Sequence, residues 1–438
     1  MLTLLSYTDR PGRGRRRADC APRAIAYHAR MSTIQEAGAL PAPEIPLRED
    51  AAVMGLVGLA HAMSHFSHLL LPPLFPVFMR EFGLSFAEVG GLMSMFFLVS
   101  GTGQAMSGFV VDRWGARPVL FAALLLFMAS AWSASVAEGY GGLLLSALLA
   151  GLGNAPFHPV DFSILNQRVS AARLGHAFSV HGLTGNLGWA LTPVFLASLS
   201  ALSDWRQAYR GAIVLYLVVF LLLLWQRDRL RTEVVRRAHS APAGADLGYL
   251  RLPVVWWCFA FFFLVTMTMA VVQNFSSSIL AAVHAVSFEA ATLTLTAYML
   301  CGAAGMFVGG FVAARQQRSD RVVAWCMACG GVLMLLCATG WLGGTGTMVV
   351  LATTGFAIGV GGPSRDMMIR RATPAGATGR VYGTVYSGLD LGMALAPVVF
   401  GAFMDRAWYG ATLAGAGVVL LLAVGVALGV GRRTTRRA

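Results

Sequence analysis

The feature that most constrains this chain is that its apolar segments come in two matching sets of six. After the second segment stands Gly108-Phe-Val-Val-Asp112-Arg113-Trp-Gly115-Ala-Arg117, and after the eighth, 202 positions on, stands Gly310-Phe-Val-Ala-Ala314-Arg315-Gln-Gln-Arg318. Gly175, Gly188 and Pro193 in the fifth segment recur as Gly379, Gly392 and Pro397 in the eleventh, each offset by 204. Duplication at this scale is how many secondary carriers are built, with two bundles that rock about a site between them. Composition agrees: of 438 residues, 57% are hydrophobic and 12% charged, and soluble proteins carry about twice that charged fraction. Stretches of about 20 apolar residues, each able to cross roughly 30 Å of hydrocarbon, recur along the chain.

The expected fold is therefore an all-α integral membrane protein of 12 transmembrane helices in two six-helix bundles. The spans fall at 52–79, 86–111, 118–137, 140–168, 174–200, 208–225, 253–281, 289–314, 321–341, 346–371, 379–404 and 409–431. That divides the chain into an N-terminal segment (1–50), a first bundle (51–225), a linker (226–252), a second bundle (253–431) and a tail (432–438). Gly and Pro are expected to interrupt the fourth span, at Gly151, Gly153, Pro156 and Pro159, and the tenth, at Gly359, Gly361, Gly362 and Pro363. Such breaks persist where neighbouring helices or a wet cavity satisfy the freed backbone groups, so they point to the bundle interior.

From Arg48 onward, 22 arginines lie in the termini and the loops on their side of the membrane, against four on the other: Arg80, Arg206, Arg210 and Arg406. Positive-inside counting puts both ends and the linker in the cytoplasm, of a bacterial inner membrane. The net charge of +13 is then a matter of topology and anionic lipid, with no basic soluble domain to bind nucleic acid. Met1–Arg30, with seven arginines and two acids, reads either as an Arg-rich leader or as translation begun upstream of Met31; Met31 is the expected start.

All 33 basic residues are arginine. Without lysine the chain can form no GxxxxGK phosphate loop and no Schiff base to retinal or pyridoxal phosphate, which excludes ATP-driven or light-driven pumping by this chain alone and leaves an ion or solute gradient. Cys326 and Cys329 make a CxxC spacing inside the ninth span, with Cys337 nearby and no His or acidic neighbour; they read as small buried fillers. No HExxH or Ser–His–Asp pattern stands out. The expectation is a monomer that is not an enzyme, with no cofactor and no metal.

Polar residues within the spans are where chemistry is expected, because each costs a few kcal/mol at mid-membrane and is usually retained for function. His61, His65 and His68 are spaced i, i+4 and i+7 on the first span, which sets them on one helix face; an imidazole titrates near neutral pH and can bind a transported proton. His65 lies nearest mid-membrane. His158 and Asp161, at i and i+3 on the fourth span, are expected to pair, either as a proton-coupling pair or as a cytoplasmic lock. Asp390 has no charged neighbour on the eleventh span, so it must be neutral or paired with another span, with His65 and Arg365 as the candidate partners. Arg365 and Asp366 close the tenth span, where a gate role is expected. Gln104, Asn186, Gln273 and Asn274 complete the polar set, mainly as helix–helix hydrogen bonds.

The run Gly108 to Arg117 resembles the signature loop of the major facilitator superfamily, and with the span count and the repeat the resemblance covers essentially the whole chain. It implies that the loop helps hold the cytoplasmic gate closed in an outward-facing state, with Gly108, Asp112, Arg113, Gly115 and Arg117 as gate residues. Physically, Gly108 would permit close helix approach, and Asp112 could accept hydrogen bonds from a helix N-terminus or an arginine. In the second half Ala314 stands in place of the aspartate. The run Gly151-Leu-Gly-Asn154-Ala-Pro156-Phe-His158-Pro159, with Gly182, Gly185, Asn186, Gly188 and Pro193, is similar to the fosmidomycin-resistance branch, which exports a phosphonate antibiotic. A GPxxGG motif typical of many drug–proton antiporters is missing from the fifth span. The resemblance implies alternating-access transport of a small organic, drug-like or anionic solute with protons, outward or, in the other expected mode, as nutrient uptake. His65, His158, Asp161 and Asp390 form the expected coupling set. A non-transporting sensor on the same fold remains a third expectation.

Overall fold

The computed structural model describes residues 46–233, 250–316, 318–372 and 378–435, and those from Leu47 on form one compact unit. The expectations for residues 1–30, and for most of the linker, lie outside the described residues. Among the described residues every regular element is helical: α1 (Leu47–His68), α2 (Phe75–Phe82), α3 (Phe86–Trp114), α4 (Ala116–Ser135), α5 (Tyr140–Asn154), α6 (Phe157–Arg168), α7 (Leu174–Ser200) and α8 (Trp205–Trp225), then α9 (Pro253–His284), α10 (Phe288–Arg315), α11 (Ser319–Ala338), α12 (Gly343–Ala372), α13 (Thr378–Met404) and α14 (Tyr409–Thr435).

Among the described residues, eleven helical segments are long and apolar enough to cross a membrane. The fifth expected span, α7, is not among them: it is 27 residues long, but His176, Ser179, His181, Thr184, Asn186 and Thr192 dilute its apolar character. Proline sets the breaks. Pro72 and Pro73 open a short 3-10 turn that splits the first span into α1 and α2, because a prolyl nitrogen cannot donate to the helix ladder. Pro156 divides the fourth span into α5 and α6, as expected. The tenth span departs from expectation, since α12 runs unbroken through Pro363. Its glycines act in packing instead: side chains at Gly355 and Gly359 would collide with the backbones of Tyr298 and Gly302 on α10.

The duplication is visible in the packing. In the first half α1 packs on α7, α3 on α5, and α4 on α5 and α8; in the second, α9 packs on α13, α10 on α12, and α11 on α12 and α14. These are the same pairings carried from spans one to six onto spans seven to twelve. Equivalent glycines make the crossings. A side chain at Gly188 would strike the Ala62 carbonyl of α1, and one at Gly392, 204 positions on, would strike the Phe263 carbonyl of α9. Gly103 and Gly305, 202 positions apart, face Ala155, just after α5, and Phe356 of α12 in the same way. Absence of a side chain is what lets these backbones approach, as in small-residue membrane interfaces.

The halves meet through two symmetric pairs, α3 with α13 and α7 with α10. Among the described residues, close contacts along these seams run from one end to the middle. Gly90 sits on the Pro397 carbonyl and Gly401 against Phe86, Ser94 Oγ donates to the Ala394 carbonyl, and Thr296 Oγ1 donates to the Ala190 carbonyl at 3.0 Å. At the tip of this closed end Asp405, in the loop after α13, accepts from the backbone N–H groups of Phe86 and Ala87 at 2.5 and 2.9 Å. A carboxylate on a helix N-terminus gains from both the orphan donors and the helix dipole.

Near the opposite end, Gly108 and its repeat mate Gly310 have nothing within 4 Å of where a Cβ would stand. The close approach expected at Gly108 is therefore not made in this conformation, because the seams are closed at the other end. Within the first half that end is firmly laced: buried Asp50 takes Arg173 at 2.7 Å and the Ser170 backbone N–H at 3.1 Å, Glu49 takes Arg229 at 3.1 Å, and Arg117 lies 3.6 Å from Asp228. Gly115 makes the turn between α3 and α4 at φ 82°, a backbone conformation that favours glycine. Its neighbour Ala116 donates its N–H to Thr232 at 2.9 Å.

Two outcomes are expected. Gly188→Val or Gly392→Val overpacks a helix crossing and lowers stability by about 1–3 kcal/mol, read by thermal unfolding in detergent, whereas Gly55→Val, with open space at its Cβ position, leaves the unfolding curve in place. Asp405→Ala removes a carboxylate latch of charge-assisted bonds worth about 1.5–3 kcal/mol each. The labelling rate of Ser278→Cys, at a position buried at the closed end, then rises about tenfold or more in a background carrying Cys329→Ser.

Candidate functional site

The interior of the first half holds a polar cluster in otherwise apolar surroundings. α1 supplies His61, His65 and His68 from one face, as their spacing predicts: the ring centroids of His61 and His65 are 4.5 Å apart and those of His65 and His68 are 5.0 Å apart. α6 begins at Phe157, just after Pro156, and delivers His158 and Asp161 from its first two turns. α7 brings His181 and Trp189, α3 brings Ser100 and Gln104, and α5 ends in Asn154. Close crossing of α7 over α1 creates the contact, since side chains at Gly185 and Gly188 would run into the rings of His61 and His65 and into the Ala62 backbone.

Asp161, with no exposed surface, is the hub. Its Oδ2 lies 3.0 Å from His181 Nε2 and 3.0 Å from His61 Nδ1. The His181 contact is a hydrogen bond; the His61 contact is close in distance but not directed as one, so His61 Nδ1 and Asp161 Oδ1 are both buried without a hydrogen-bond partner among the described residues. The rings of His61 and His181 are stacked at 3.5 Å. This corrects the expected His158–Asp161 pairing. His158 Nδ1 is instead bonded to Gln104 Oε1 of α3 at 2.9 Å, because its ring extends toward α3 while Asp161, one turn further on, meets α1 and α7.

His68 belongs to a separate chain. Trp189 Nε1 donates to His68 Nδ1 at 3.3 Å, His68 Nε2 lies 3.1 Å from Asn154 Oδ1, Ser64 Oγ donates to the same oxygen at 2.5 Å, and Asn154 Nδ2 donates to Ser100 Oγ at 2.8 Å. Indole N–H is only a donor, so Nδ1 must accept and Nε2 must carry the proton: the network holds His68 as one neutral tautomer. His65 lies between the two groups, against Trp189 at 4.1 Å, with Nδ1 buried and without a hydrogen-bond partner among the described residues.

The remaining expected residues lie elsewhere. Asn186 stands at the α7–α10 seam, donating to the Gly182 carbonyl at 2.9 Å and reaching Met306 Sδ of the second half at 3.5 Å. Asp390 is on α13 in the other seam, where a side chain at Gly101 of α3 would come within 3.0 Å of its Cβ. Among the described residues neither His65 nor Arg365 bonds to it. Arg365 instead donates to its neighbour Asp366 at 2.9 Å and lies 5.0 Å over the Phe262 ring. Of the gate set, Arg113 is exposed, Gly108 and Gly115 are as described above, and the side chain of Asp112 lies outside the described set. On α9, Gln273 Nε2 and Asn274 Oδ1 are buried without partners among the described residues. Cys326, Cys329 and Cys337 are free thiols.

Sequence reasoning missed His181, Trp189, Ser64 and Ser100. A signal for His181 existed: it lies four and seven positions before Gly185 and Gly188, on the face that the repeated glycines mark as packed.

Comparison with known proteins agrees with this geometry. The family model described as Major Facilitator Superfamily matches residues 57–352 and 263–438. The chain is 24% identical over 282 residues to the fosmidomycin resistance protein of Escherichia coli (strain K12), covering 64% of this chain and 68% of that protein. It is 23% identical over 247 residues to a probable L-galactonate transporter of the same organism, covering 53% and 54% of the two chains. It is 25% identical over 373 residues to the probable nitrate/nitrite transporter NarK2 of Mycobacterium tuberculosis (strain ATCC 25618 / H37Rv), covering 82% and 90%. Among solved structures, a bacterial homolog of the human lysosomal transporter Spinster, in an inward-facing and unoccupied conformation, superposes with a TM-score of 0.72 at 16% identity, over 91% of this chain and 99% of that one. At that identity the likeness is one of fold. The repeated helices, the symmetric seams and the family match together establish that this chain belongs to the major facilitator superfamily and is a multi-pass membrane transporter of that fold.

Proposed function

We propose that the protein moves a small organic anion across the bacterial inner membrane, coupled to protons, by alternating the closed end of its two seams. The arginine distribution supports placing the closed end outside and the Gly108 and Gly310 end in the cytoplasm, which makes the conformation described inward-facing. The observation that carries proton coupling is the position of Asp390. It sits inside the α3–α13 seam, admitted by the missing side chain of Gly101, with no hydrogen bond or ion pair among the described residues. An ionised carboxylate is costly in such a place unless water or a partner reaches it. Proton binding at Asp390 is thereby tied to whether the seam is shut or wetted.

The solute is supported less directly. The relatives' names include a phosphonate antibiotic, a sugar acid and an inorganic anion, all acidic, and Arg365 supplies a partly exposed guanidinium beside the aromatic ring of Phe262. Efflux is favoured by the likeness to the fosmidomycin resistance protein. Uptake of a carboxylate is the alternative favoured by the likeness to the galactonate transporter. Loss of the gene separates them: efflux predicts sensitivity to a toxic anion, and uptake predicts a growth defect on a carbon source.

The test is flux in proteoliposomes under an imposed pH gradient, with phosphonates and carboxylates supplied singly and an internal pH dye as the readout. Wild-type protein is expected to collapse the gradient only with its own solute. Asp390→Asn is expected to lose gradient-driven accumulation while keeping solute exchange at equal pH; full accumulation by that variant overturns the assignment of Asp390.

A further inference from the structure

The buried cluster of His61, Asp161 and His181 has a property that proton coupling at Asp390 does not use. The three residues come from three different helices and each offers one donor atom, all within 4.8 Å of one another; His61 Nδ1 and His181 Nε2 each stand 3.0 Å from Asp161 Oδ2. Around a tetrahedral ion with bonds of about 2.0–2.1 Å to nitrogen and oxygen, neighbouring donors stand roughly 3.3 Å apart. Two of the three edges are thus close to that length with no ion present.

The second observation is polar dissatisfaction. His61 is 2% exposed and Asp161 is fully buried, yet His61 Nδ1 and Asp161 Oδ1 have no hydrogen-bond partner among the described residues, and neither does His65 Nδ1 next to them. A buried polar atom left unpaired costs about 1–3 kcal/mol. A divalent ion would draw on the lone pair of His61 Nδ1 and on the carboxylate together, and would relieve the crowding of two imidazole nitrogens on one oxygen.

We infer that His61, Asp161 and His181 form a binding site for a divalent transition-metal ion inside the first six-helix half. Two imidazoles and one carboxylate suit zinc, cobalt or nickel better than magnesium or calcium, which prefer all-oxygen shells. Three protein donors leave a fourth position for water or another oxygen donor. His158, partly exposed and held by Gln104, stands beside the cluster with its ring centroid 5.5 Å from that of His61. The site depends on none of the residues in the two seams, so it stands whether or not transport uses protons, and it departs from the expectation of no metal drawn from the sequence. Linear motifs do not show it because the ligands are 61, 161 and 181 in sequence and meet only through helix packing.

The test uses Co2+ as the probe on purified wild-type protein in detergent, carrying no polyhistidine tag. The expected result is one Co2+ per chain with the intense visible absorption of a four-coordinate site, displaced by Zn2+. His61→Gln, Asp161→Asn and His181→Gln each weaken binding tenfold or more, while His284→Gln, whose ring bonds Thr347 on α12, leaves it unchanged. X-ray absorption of the Zn2+-loaded wild type reads the same site without any substitution, and two imidazoles in the first shell are expected. Absence of saturable binding by monodisperse wild-type protein, an all-oxygen six-coordinate shell, or unchanged binding in all three ligand variants overturns the inference.

Discussion

Backbone-to-backbone approach at glycine is the constraint on which the rest of this molecule depends. In lipid there is little hydrophobic gain from pairing two apolar helices, so packing must come from close fit. The duplicated chain meets that need twice with the same residues: Gly188 lets α7 cross α1, and Gly392 lets α13 cross α9. Each crossing helps build one half of the molecule. The same device acts between the halves, where Gly90 and Gly401 shut one end of the α3–α13 seam.

Function follows from what crosses that seam. The salt bridges described here, from Asp50–Arg173 to Arg365–Asp366, lie within a half rather than between halves. Among the described residues, the halves are joined by backbone approaches, hydrogen bonds and the Asp405 cap on the first turn of α3. Interactions of that kind hold a seam shut with a few kcal/mol, an amount that a proton or a solute can supply. Under the proposed function, Asp390, in the seam, responds to opening, while the histidine cluster lies inside one half.

Much of the fold was legible in the sequence because lipid imposes simple rules: spans of about 20 residues, paired repeats, and glycines at offsets of 202 and 204. The one-face row of His61, His65 and His68 was legible too, since helix period alone decides it. Where the reading went astray, tertiary context had decided. His158 and Asp161 share a helix face, but α3 takes one and α1 with α7 takes the other. Pro363 was expected to break its helix, yet α12 continues, its Gly355 and Gly359 packed on α10. His181 went unnoticed because a lone histidine gains meaning only from the carboxylate that folding brings beside it. Gly108 was expected at a close approach, which the conformation described does not make.

The central claim is that the two ends of the seams open and close in opposition. Distances measured by pulsed electron paramagnetic resonance in liposomes test it most directly, with one spin-label pair at Arg80 and Ala282, both lining the closed end, and another at Trp114 and Arg315 at the far end. The account predicts two populations in each pair, the far-end pair shortening as the closed-end pair lengthens when pH or solute is changed. A single fixed distance in both pairs across those conditions, or lengthening of both together, would contradict it.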